Sequence, residues 1–301
     1  MRKAIIHIGH GKTGTSSIQK WFCENEKILK DNNFRYLESY RIYNAHHNLA
    51  PRDKSIIHEN IVAKIKQEIE NCSENIIVSS EQIYYTGPEN FSAICGLFPG
   101  MEIEVVFYIR WHEDLIISSY MQWMRENKEP FESAFEFFQK FGSVFRFEKR
   151  INYLYSRLTA RPNTQLRVYM DTGMFDALHD FLSCLGIAHN SEKKISVNKS
   201  ISPVFSETLY QINKSILKDE DRVRILLALE ADSQKLDWNL SDVFTNEQRS
   251  KMRAYFAVDD LWVHKEVKNS RQRTYWERRV LKAKTFGPPA KTADPPELGL
   301  R

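Results

Sequence analysis

A chain of 301 residues with 42% hydrophobic and 27% charged residues has the composition of an ordinary globular protein. It is long enough to bury a sizeable core, and its composition has neither the polarity of a disordered chain nor the apolar excess of a membrane protein. Its formal charge of +4 favours anionic ligands only mildly, so composition by itself assigns no function.

Many of the basic residues are concentrated late in the chain, between Lys265 and Lys284. We interpret this run as the solvated face of a helix, and contact with nucleic acid or an anionic membrane is the alternative. No aromatic-rich RNA-binding motif supports that alternative, so no nucleic-acid partner is expected.

Four cysteines are far apart in sequence, with no Cys-x-x-Cys pair and no histidine at zinc-ligand spacing. They are Cys23, Cys72, Cys95 and Cys184. Reduced thiols in a cytoplasmic, bacterial protein without a metal site are the simplest interpretation. The apolar run at residues 4–8 is too short for a secretory signal, and no stretch approaches the ~20 apolar residues of a membrane span.

The first third of the chain alternates strand and helix patterns. Residues 4–9 form a short β-branched run that is typical of a buried strand, and residues 15–29 have apolar residues at helical spacing. A second strand is predicted at residues 34–37, and isoleucines spaced four apart predict an amphipathic helix over residues 56–69. Residues 75–79 contain another buried-strand pattern.

The alternation continues with the clearest strand pattern of the chain, residues 102–109, which leads directly into a predicted helix at residues 112–125. Residues 131–158 are aromatic and helical in pattern, and they precede a strand at residues 166–170 and a helix at residues 175–185. Strands that alternate with helices favour a parallel sheet with helices on both faces.

The last third, from residue 206 to residue 283, is predicted to be helical. The proline-rich tail at residues 286–301 is predicted to be disordered. No internal repeat or strong linker divides the chain, so we predict a single domain over residues 1–285 with a helical C-terminal part.

Between the first predicted strand and the first predicted helix the chain reads Gly9-His10-Gly11-Lys12-Thr13-Gly14-Thr15-Ser16-Ser17. Backbone N–H groups at a helix start have no intrahelical partner, and the helix dipole adds partial positive charge, so a phosphate bound there is stabilised twice. The glycines let the chain approach such a group, Lys12 adds a mobile cation, and three hydroxyl residues add donors. We therefore predict a loop that binds the phosphate groups of a nucleotide-like donor.

Two known phosphate loops match this sequence incompletely. A kinase or NTPase P-loop has its lysine directly after the second glycine, whereas Lys12 precedes Gly14 here and Thr15 stands at the lysine position. The loop also satisfies Gly-x-Gly-x-x-Gly, the dinucleotide fingerprint, with Glu38 as a candidate ribose-binding acid. A nicotinamide-dependent oxidoreductase is therefore the alternative enzyme.

Residues 6–19, Ile6-His7-Ile8-Gly9-His10-Gly11-Lys12-Thr13-Gly14-Thr15-Ser16-Ser17-Ile18-Gln19, closely resemble a loop of one enzyme family. This is the 5′-phosphosulfate-binding loop of the sulfotransferases that use 3′-phosphoadenosine 5′-phosphosulfate (PAPS), especially their bacterial carbohydrate-modifying branch. The resemblance implies a three-layer α/β fold of the P-loop NTPase type, with a central parallel sheet, and Lys12 as the residue that stabilises the leaving group. It also implies a donor-binding set, which is Gly11, Lys12, Thr13, Gly14, Thr15, Ser16 and Ser17.

A second element of the family is present at the end of the clearest strand. Arg110 ends that strand, and Ser118 follows eight residues later, which resembles the motif that binds the 3′-phosphate of PAPS. An arginine at the carboxyl end of a parallel strand points into the ligand crevice, where its guanidinium can bind phosphate. The family often has proline two residues after the arginine, where this chain has His112. A surface ion pair of Arg110 with a nearby acid is the structural alternative.

For the acceptor side, the strand at residues 75–79 leads to Glu81, in a segment similar to the one that supplies the catalytic base in heparan-type sulfotransferases. Glu81 is expected at the same sheet edge as Lys12 and Arg110, and we predict that it deprotonates the acceptor hydroxyl. His46 and His47 are secondary candidates for the acceptor site, because histidine titrates near neutral pH. The alternatives are structural: Glu81 as a helix-capping or salt-bridging carboxylate, and the two histidines as a hydrogen-bonding pair in a loop.

A third, short match lies late in the chain, where residues 197–203 resemble a segment of the same bacterial relatives. The resemblance implies that Lys199 and Ser200 close over the donor nucleotide. The alternative is a plain helix cap by Ser202 before Pro203.

Together these motifs predict a PAPS-dependent sulfotransferase without a metal. It would transfer a sulfuryl group to a hydroxyl, and the resemblance implies a carbohydrate or glycolipid acceptor. A NAD(P)-dependent oxidoreductase and a non-catalytic nucleotide-binding module remain the other hypotheses.

Overall fold

The computed structural model describes residues 1–51, 56–126, 129–170, 175–188, 201–233 and 235–284. In these residues, five strands form one sheet. The strands are β1 (Lys3–Gly9), β2 (Phe34–Tyr36), β3 (Asn75–Ser79), β4 (Glu102–Arg110) and β5 (Asn163–Tyr169). The predicted strands thus all form, and the last one begins three residues earlier than expected.

The strand order is β2-β3-β1-β4-β5, and every neighbouring pair is parallel. In this register Ile6 of β1 lies opposite Val78 of β3 and Val105 of β4, and all three are fully buried. Because the strands are parallel and in register, the carboxyl ends of β3, β1 and β4 lie side by side at one edge of the sheet.

The described residues also form twelve helices. They are α1 (Thr15–Glu24), α2 (Glu26–Asp31), α3 (Glu59–Glu70), α4 (Pro88–Cys95), α5 (His112–Glu126), α6 (Ala134–Phe141), α7 (Phe147–Tyr155), α8 (Ala177–Cys184), α9 (Ser206–Lys214), α10 (Asp219–Ser233), α11 (Asn246–Glu266) and α12 (Ser270–Lys284).

Helices cover both faces of the sheet. The chain leaves β1 towards β2, whereas its connection from β3 to β4 runs in the opposite direction across β1. Since crossovers between parallel strands are right-handed, α1 and α4 lie on opposite faces. Accordingly, α1 packs against α8, and α4 packs against α7. The predicted three-layer α/β fold with a central parallel sheet is confirmed.

By its internal contacts the chain divides into two compact units. The first contains the whole sheet and comprises residues 1–110, 147–197 and 263–274. The second comprises residues 111–146, 198–262 and 275–301 and is helical where it is described. The single domain over residues 1–285 stays a prediction, and the predicted disorder of residues 286–301 lies outside the described part of the chain.

The helix predicted over residues 15–29 is two helices, α1 and α2, because the chain breaks at Asn25. Its backbone leaves the helical region with φ −128° and ψ 36°, and its side-chain Nδ2 donates to the carbonyl of Trp21 at 2.9 Å. Asparagine side chains compete in this way with the backbone for hydrogen bonds, which disfavours continuation of the helix.

Helix α4 was not predicted from the sequence. It begins at Pro88, in the first-turn position where proline is favoured, and buries Phe91 and Ile94 on one side. In the described ranges, no helix combines the length with the apolar character that crossing a bilayer requires.

Candidate functional site

The loop after β1 requires glycine at two positions. A Cβ atom on Gly9 would lie 1.9 Å from Cγ2 of Thr15, so a larger residue would displace the loop. Gly14 has φ +82°, and a Cβ there would lie 2.7 Å from Cβ of Ala177. The hydroxyl of Thr13 donates to the carbonyl of His10 at 2.6 Å, which closes the turn from within. The loop is therefore held in one close-packed conformation.

Helix α1 begins directly after this loop, with Gly14 as its N-cap. Glycine carries no side chain that could cap the first N–H groups of the helix, and no acidic residue lies in the first turn. These N–H groups and the positive end of the helix dipole are therefore directed at any anion bound in the loop.

Lys12 has a left-handed backbone conformation, with φ 71°. This conformation costs roughly 1–2 kcal/mol for a residue other than glycine. Strain of this kind is concentrated at functional sites, where the surrounding structure holds the residue in place. The loop therefore keeps a lysine at a position where glycine would fit the backbone better.

Arg110, at the end of β4, lies beside this loop. Its Nη1 donates to the backbone carbonyl of Lys12 at 3.2 Å, and its guanidinium lies 5.3 Å from the ring centre of Tyr169. The same Tyr169 ring packs within 3.3 Å of the position that a Cβ on Gly14 would take. The structure thus brings together the residues of two separate sequence motifs, 98 positions apart, at adjacent strand ends.

The donor-binding roles of Ser118, Lys199 and Ser200 stay predictions. Ser118 is a half-buried residue of α5 and belongs to the second unit. Lys199 and Ser200 lie outside the described residues. Ser202 accepts a hydrogen bond from the Val204 N–H at 3.4 Å, at the start of a short 3₁₀ turn, which is the capping role that the alternative interpretation gave it.

Glu81 begins a 3₁₀ turn, Glu81–Tyr85, directly after β3. Its Oε2 accepts from Nε2 of Gln19 at 3.2 Å, and its Oε1 lies 3.7 Å from Nε2 of His47. The Glu81 side chain is 26% exposed, so a ligand can reach it. Tyr85 ends the same turn and is 41% exposed.

The two neighbouring histidines have different environments. His46 is buried, its Nε2 is hydrogen-bonded to the carbonyl of Leu37 at 2.8 Å, and its Nδ1 accepts from the Ser79 N–H at 3.2 Å. Burial lowers the pKa of His46 to about 4, so its ring is neutral and ties two strand ends together. His47 is 25% exposed and is the member of the pair that faces Glu81.

Two buried residues behind Glu81 had no role in the sequence analysis. Gln19, on the buried face of α1, bonds both Ser79 and Glu81, and His7 of β1 bonds the same Ser79 hydroxyl at 2.8 Å. The available signal for Gln19 was a polar residue among the apolar positions Ile18 and Phe22. Its hydrogen-bond partner Ser79 lies on a strand 60 residues away, and the sequence pattern does not place that strand beside it.

Arg150 of α7 supports the turn that carries Glu81. The side chain is buried, its Nε donates to the carbonyl of Tyr84, and its Nη2 donates to the carbonyl of Thr86 at 2.6 Å. Two charged donors on the carbonyls at the end of one short turn fix its path. Arg150 was also missed, because its partners lie more than 60 residues earlier.

The arrangement therefore has a cationic, amide-lined loop at the end of β1, an arginine at the end of β4 and a carboxylate just after β3. These three strand ends are neighbours in the sheet. Among the described residues, no group of histidine, cysteine, aspartate and glutamate side chains could hold a metal ion. Chemically, the site can bind an anionic ligand at two points and accept a proton beside it.

Neither a family model nor a curated protein matches the chain. Solved structures with similar folds include a sulfotransferase from Alicyclobacillus acidocaldarius, which is 14% identical with TM-score 0.44 and covers 91% of this chain and 99% of its own. The sulfotransferase domain from the curacin biosynthetic pathway is 11% identical with TM-score 0.36 and covers 79% and 99%. A structure of the PezAT toxin-antitoxin system of Streptococcus pneumoniae is 12% identical with TM-score 0.30 and covers 75% and 88%. Likeness at this level assigns no activity to this chain.

Proposed function

We propose that this protein is a sulfotransferase that uses PAPS as its donor. The observation that carries the proposal is the contact between Arg110 and the backbone of Lys12. Through this contact, two elements of the proposed donor site are neighbours. The motifs assign the loop to the 5′-phosphosulfate of the nucleotide and Arg110 to its 3′-phosphate. A single donor with phosphate groups at both its 5′ and 3′ positions fits this pair of cationic points.

In the proposed reaction, the oxygen of the acceptor hydroxyl bonds to sulfur, and Glu81 accepts the proton of that hydroxyl. The bond between sulfur and the bridging phosphate oxygen breaks, and negative charge develops on that oxygen. Lys12 and the N–H groups at the start of α1 stabilise this charge. The hydroxyl groups of the loop residues 15–17 orient the 5′-phosphosulfate, and Arg110 holds the 3′-phosphate. Thr13 shapes the loop instead, because its hydroxyl proton is donated to the carbonyl of His10. No redox step and no metal are part of this scheme.

The proposed acceptor is a hydroxyl of a carbohydrate or a glycolipid, and its support is the resemblance of the loop to carbohydrate-modifying sulfotransferases. His47 is the proposed acceptor-site histidine, because it is partly exposed and faces Glu81. His46 fits this role less well, since its ring is buried and both its nitrogens bond to the backbone.

The strand order disfavours the oxidoreductase hypothesis. In the dinucleotide-binding fold the strand that carries the ribose-binding acid lies next to the first strand. Here Glu38 follows β2, the edge strand, and β3 separates β2 from β1. Glu38 instead pairs with Arg35 at 3.4 Å.

The test combines binding with transfer. We expect desulfated donor, 3′-phosphoadenosine 5′-phosphate (PAP), to raise the melting temperature, and NADH to leave it unchanged. We also expect radiolabel from PAPS to pass to a member of a panel of glycans, glycolipids and phenols. Label on phenols alone would refute the carbohydrate acceptor and leave the chemistry standing, whereas stabilisation by NADH and not by PAP would refute the proposal.

Lys12→Gly is the variant for this test, because glycine accepts the left-handed backbone of Lys12 without strain. Loss of one charge-stabilising donor typically lowers kcat by roughly 10²–10³. Asn33→Gly is the matched control, since Asn33 is also left-handed, with φ 62°, and lies exposed before β2. We expect that control to turn over at the parent rate.

A further inference from the structure

Gln19 is a buried polar side chain whose hydrogen bonds are all directed at the base side of the site. It is 4% exposed, and its Nε2 lies 3.1 Å from Oγ of Ser79 and 3.2 Å from Oε2 of Glu81. A carboxamide nitrogen carries two protons, so one Gln19 side chain can donate to both oxygens at once.

The orientation of this carboxamide is set from the interior of the sheet. Burial lowers the pKa of His7 to about 3, so its ring is neutral, and its Nδ1 lies 2.8 Å from Oγ of Ser79. The Ser79 hydroxyl can donate its one proton to Nδ1 of His7, and it then accepts from Gln19. Rotation of the Gln19 amide would place its carbonyl against the carboxylate of Glu81, which is repulsive. The nitrogen of Gln19 therefore faces Glu81.

The other carboxylate oxygen is oriented by His47. Oγ of Ser80 accepts from the Gln82 N–H at 3.2 Å and lies 3.0 Å from Nδ1 of His47. When the Ser80 hydroxyl donates to Nδ1, the ring proton is on Nε2, which points at Oε1 of Glu81 over 3.7 Å. The closer and more buried of the two contacts to Glu81 is thus the one from Gln19.

Gln19 shares its helix face with the donor loop. Thr15, the first residue of α1, lies four positions before Gln19, and both side chains are buried. Residues four apart on a helix point the same way, so one rigid turn carries a proposed donor-binding hydroxyl and the partner of the base.

We propose that Gln19 is the positioning residue of Glu81: its carboxamide holds the carboxylate in the orientation in which it removes the acceptor proton. This inference rests on the proposed sulfotransferase function. The titratable group that faces Glu81 is His47 at 3.7 Å, and the charge of Glu81 also acts on Tyr85 and Tyr36. His7 acts only through Ser79, so Gln19 is the direct donor.

The test uses full-length Gln19→Met, which keeps length and helix propensity but donates no hydrogen bond. We expect kcat to fall about tenfold to a hundredfold, as for loss of one charge-assisted hydrogen bond, with the KM for PAPS unchanged. The acid limb of the kcat/KM profile should move to higher pH, because a hydrogen bond accepted by a carboxylate stabilises its charged form and this variant lacks the donor. The PAP-induced rise in melting temperature should match that of the parent.

Gln19→Glu separates positioning from packing. It preserves size and shape, so it would be the milder change if Gln19 only filled space. Positioning predicts the opposite, since a second carboxylate beside Glu81 disfavours ionisation and should move the acid limb further than Gln19→Met does. The matched control is Gln165→Met, because Gln165 also donates to a carboxylate, that of Glu104, near the opposite end of the sheet.

Three results decide between the proposals. Gln19→Met with the parent's kcat and pH profile, or Gln19→Glu that is less affected than Gln19→Met, overturns the role of Gln19 while PAPS turnover by the parent stands. A parent that transfers no label from PAPS refutes the sulfotransferase function, and the role of Gln19 falls with it. A shift in both Gln19 variants, with none in Gln165→Met, supports the positioning role.

Discussion

Two of the polar clusters among the described residues, one in each unit, differ in how their carboxylates are paired. The α5 cluster, in the second unit, is His112, Glu113, Asp114, Arg249, Asp259 and Arg279. The Glu81 cluster, in the first unit, is His7, Gln19, His47, Ser79 and Glu81. In the α5 cluster, Glu113 receives two hydrogen bonds from Arg249, and Asp114 receives one from Arg279 at 2.8 Å. Glu81 instead accepts a hydrogen bond from the neutral carboxamide of Gln19 and lies beside the ring of His47.

The difference separates a carboxylate that must keep its charge from one that must accept a proton. Burial alone would raise the pKa of Glu113, but hydrogen bonds from Arg249 and Trp111 outweigh it and hold that pKa below its ordinary value. Such a group is fixed as an anion and serves the fold. Among the described residues, no lysine or arginine forms an ion pair with Glu81, which suits a group that gains and loses a proton during turnover.

Glu81→Gln should produce the largest effect. The amide keeps the shape of Glu81 but cannot accept the acceptor proton, so we expect sulfuryl transfer to slow by about 10²–10⁴. The rise in melting temperature with PAP should persist, because donor binding does not use this carboxylate. Glu89→Gln on α4, where Glu89 pairs with Arg157 at the surface, is the control and should retain full activity. If Glu81→Gln turned over at the rate of the parent, Glu81 would not be the group that accepts the acceptor proton.

Glu113→Gln should have its effect on stability. It removes the negative charge that accepts from Nε of Arg249 at 2.8 Å in a buried setting, and breaking a buried pair typically destabilises by about 3–5 kcal/mol. Thermal or urea unfolding measures the loss. Glu126→Gln, an exposed change at the end of the same helix, should stay within about 0.5 kcal/mol of the parent. If Glu113→Gln is as stable as Glu126→Gln, the α5 cluster does not stabilise the fold.

The smallest predicted effect is a pH dependence of the stability of the fold, and it comes from His46, a neighbour of the Glu81 cluster. Its pKa is lowered to about 4 in the folded chain from a usual 6.5, so the unfolded chain binds a proton in this interval that the folded chain does not. Stability therefore falls as the pH drops below about 6.5, and one such histidine contributes about 1 kcal/mol of that loss between pH 7.5 and 5.5.

Urea unfolding of His46→Gln at both pH values checks this prediction. The variant should lose less stability than the parent on acidification, whereas His179→Gln, at an exposed histidine of α8, should lose as much as the parent. An unchanged pH dependence in His46→Gln would mean that the buried ring takes up a proton freely in the folded chain.

The part of the site that the sequence could predict is the part governed by local pattern. The runs that became β1, β3 and β4 are short and mainly apolar, and polar residues stand at or shortly after their carboxyl ends. Parallel strands then place Lys12, Glu81 and Arg110 at one sheet edge whatever the details of packing. The same logic predicted all five strands.

The rest depends on pairs that are distant in sequence. Gln19 finds Ser79 60 residues later, and Arg249 finds Glu113 across 136 residues, so no spacing rule connects them. The sequence analysis gave His46 and His47 the same role because they are adjacent histidines. Tertiary packing buries His46 and leaves His47 partly exposed beside Glu81. Helix α4 was missed despite a local signal, Gly87-Pro88 before an apolar stripe.

The left-handed backbone at Lys12 has a consequence for laboratory evolution of this protein. Selection for heat resistance alone should enrich glycine or asparagine at this position, because both relieve the torsional strain. Selection for product formation should keep lysine there at every round. Codon 12 would then report which of the two pressures a library has experienced, and stabilised catalysts should acquire their gains elsewhere in the chain.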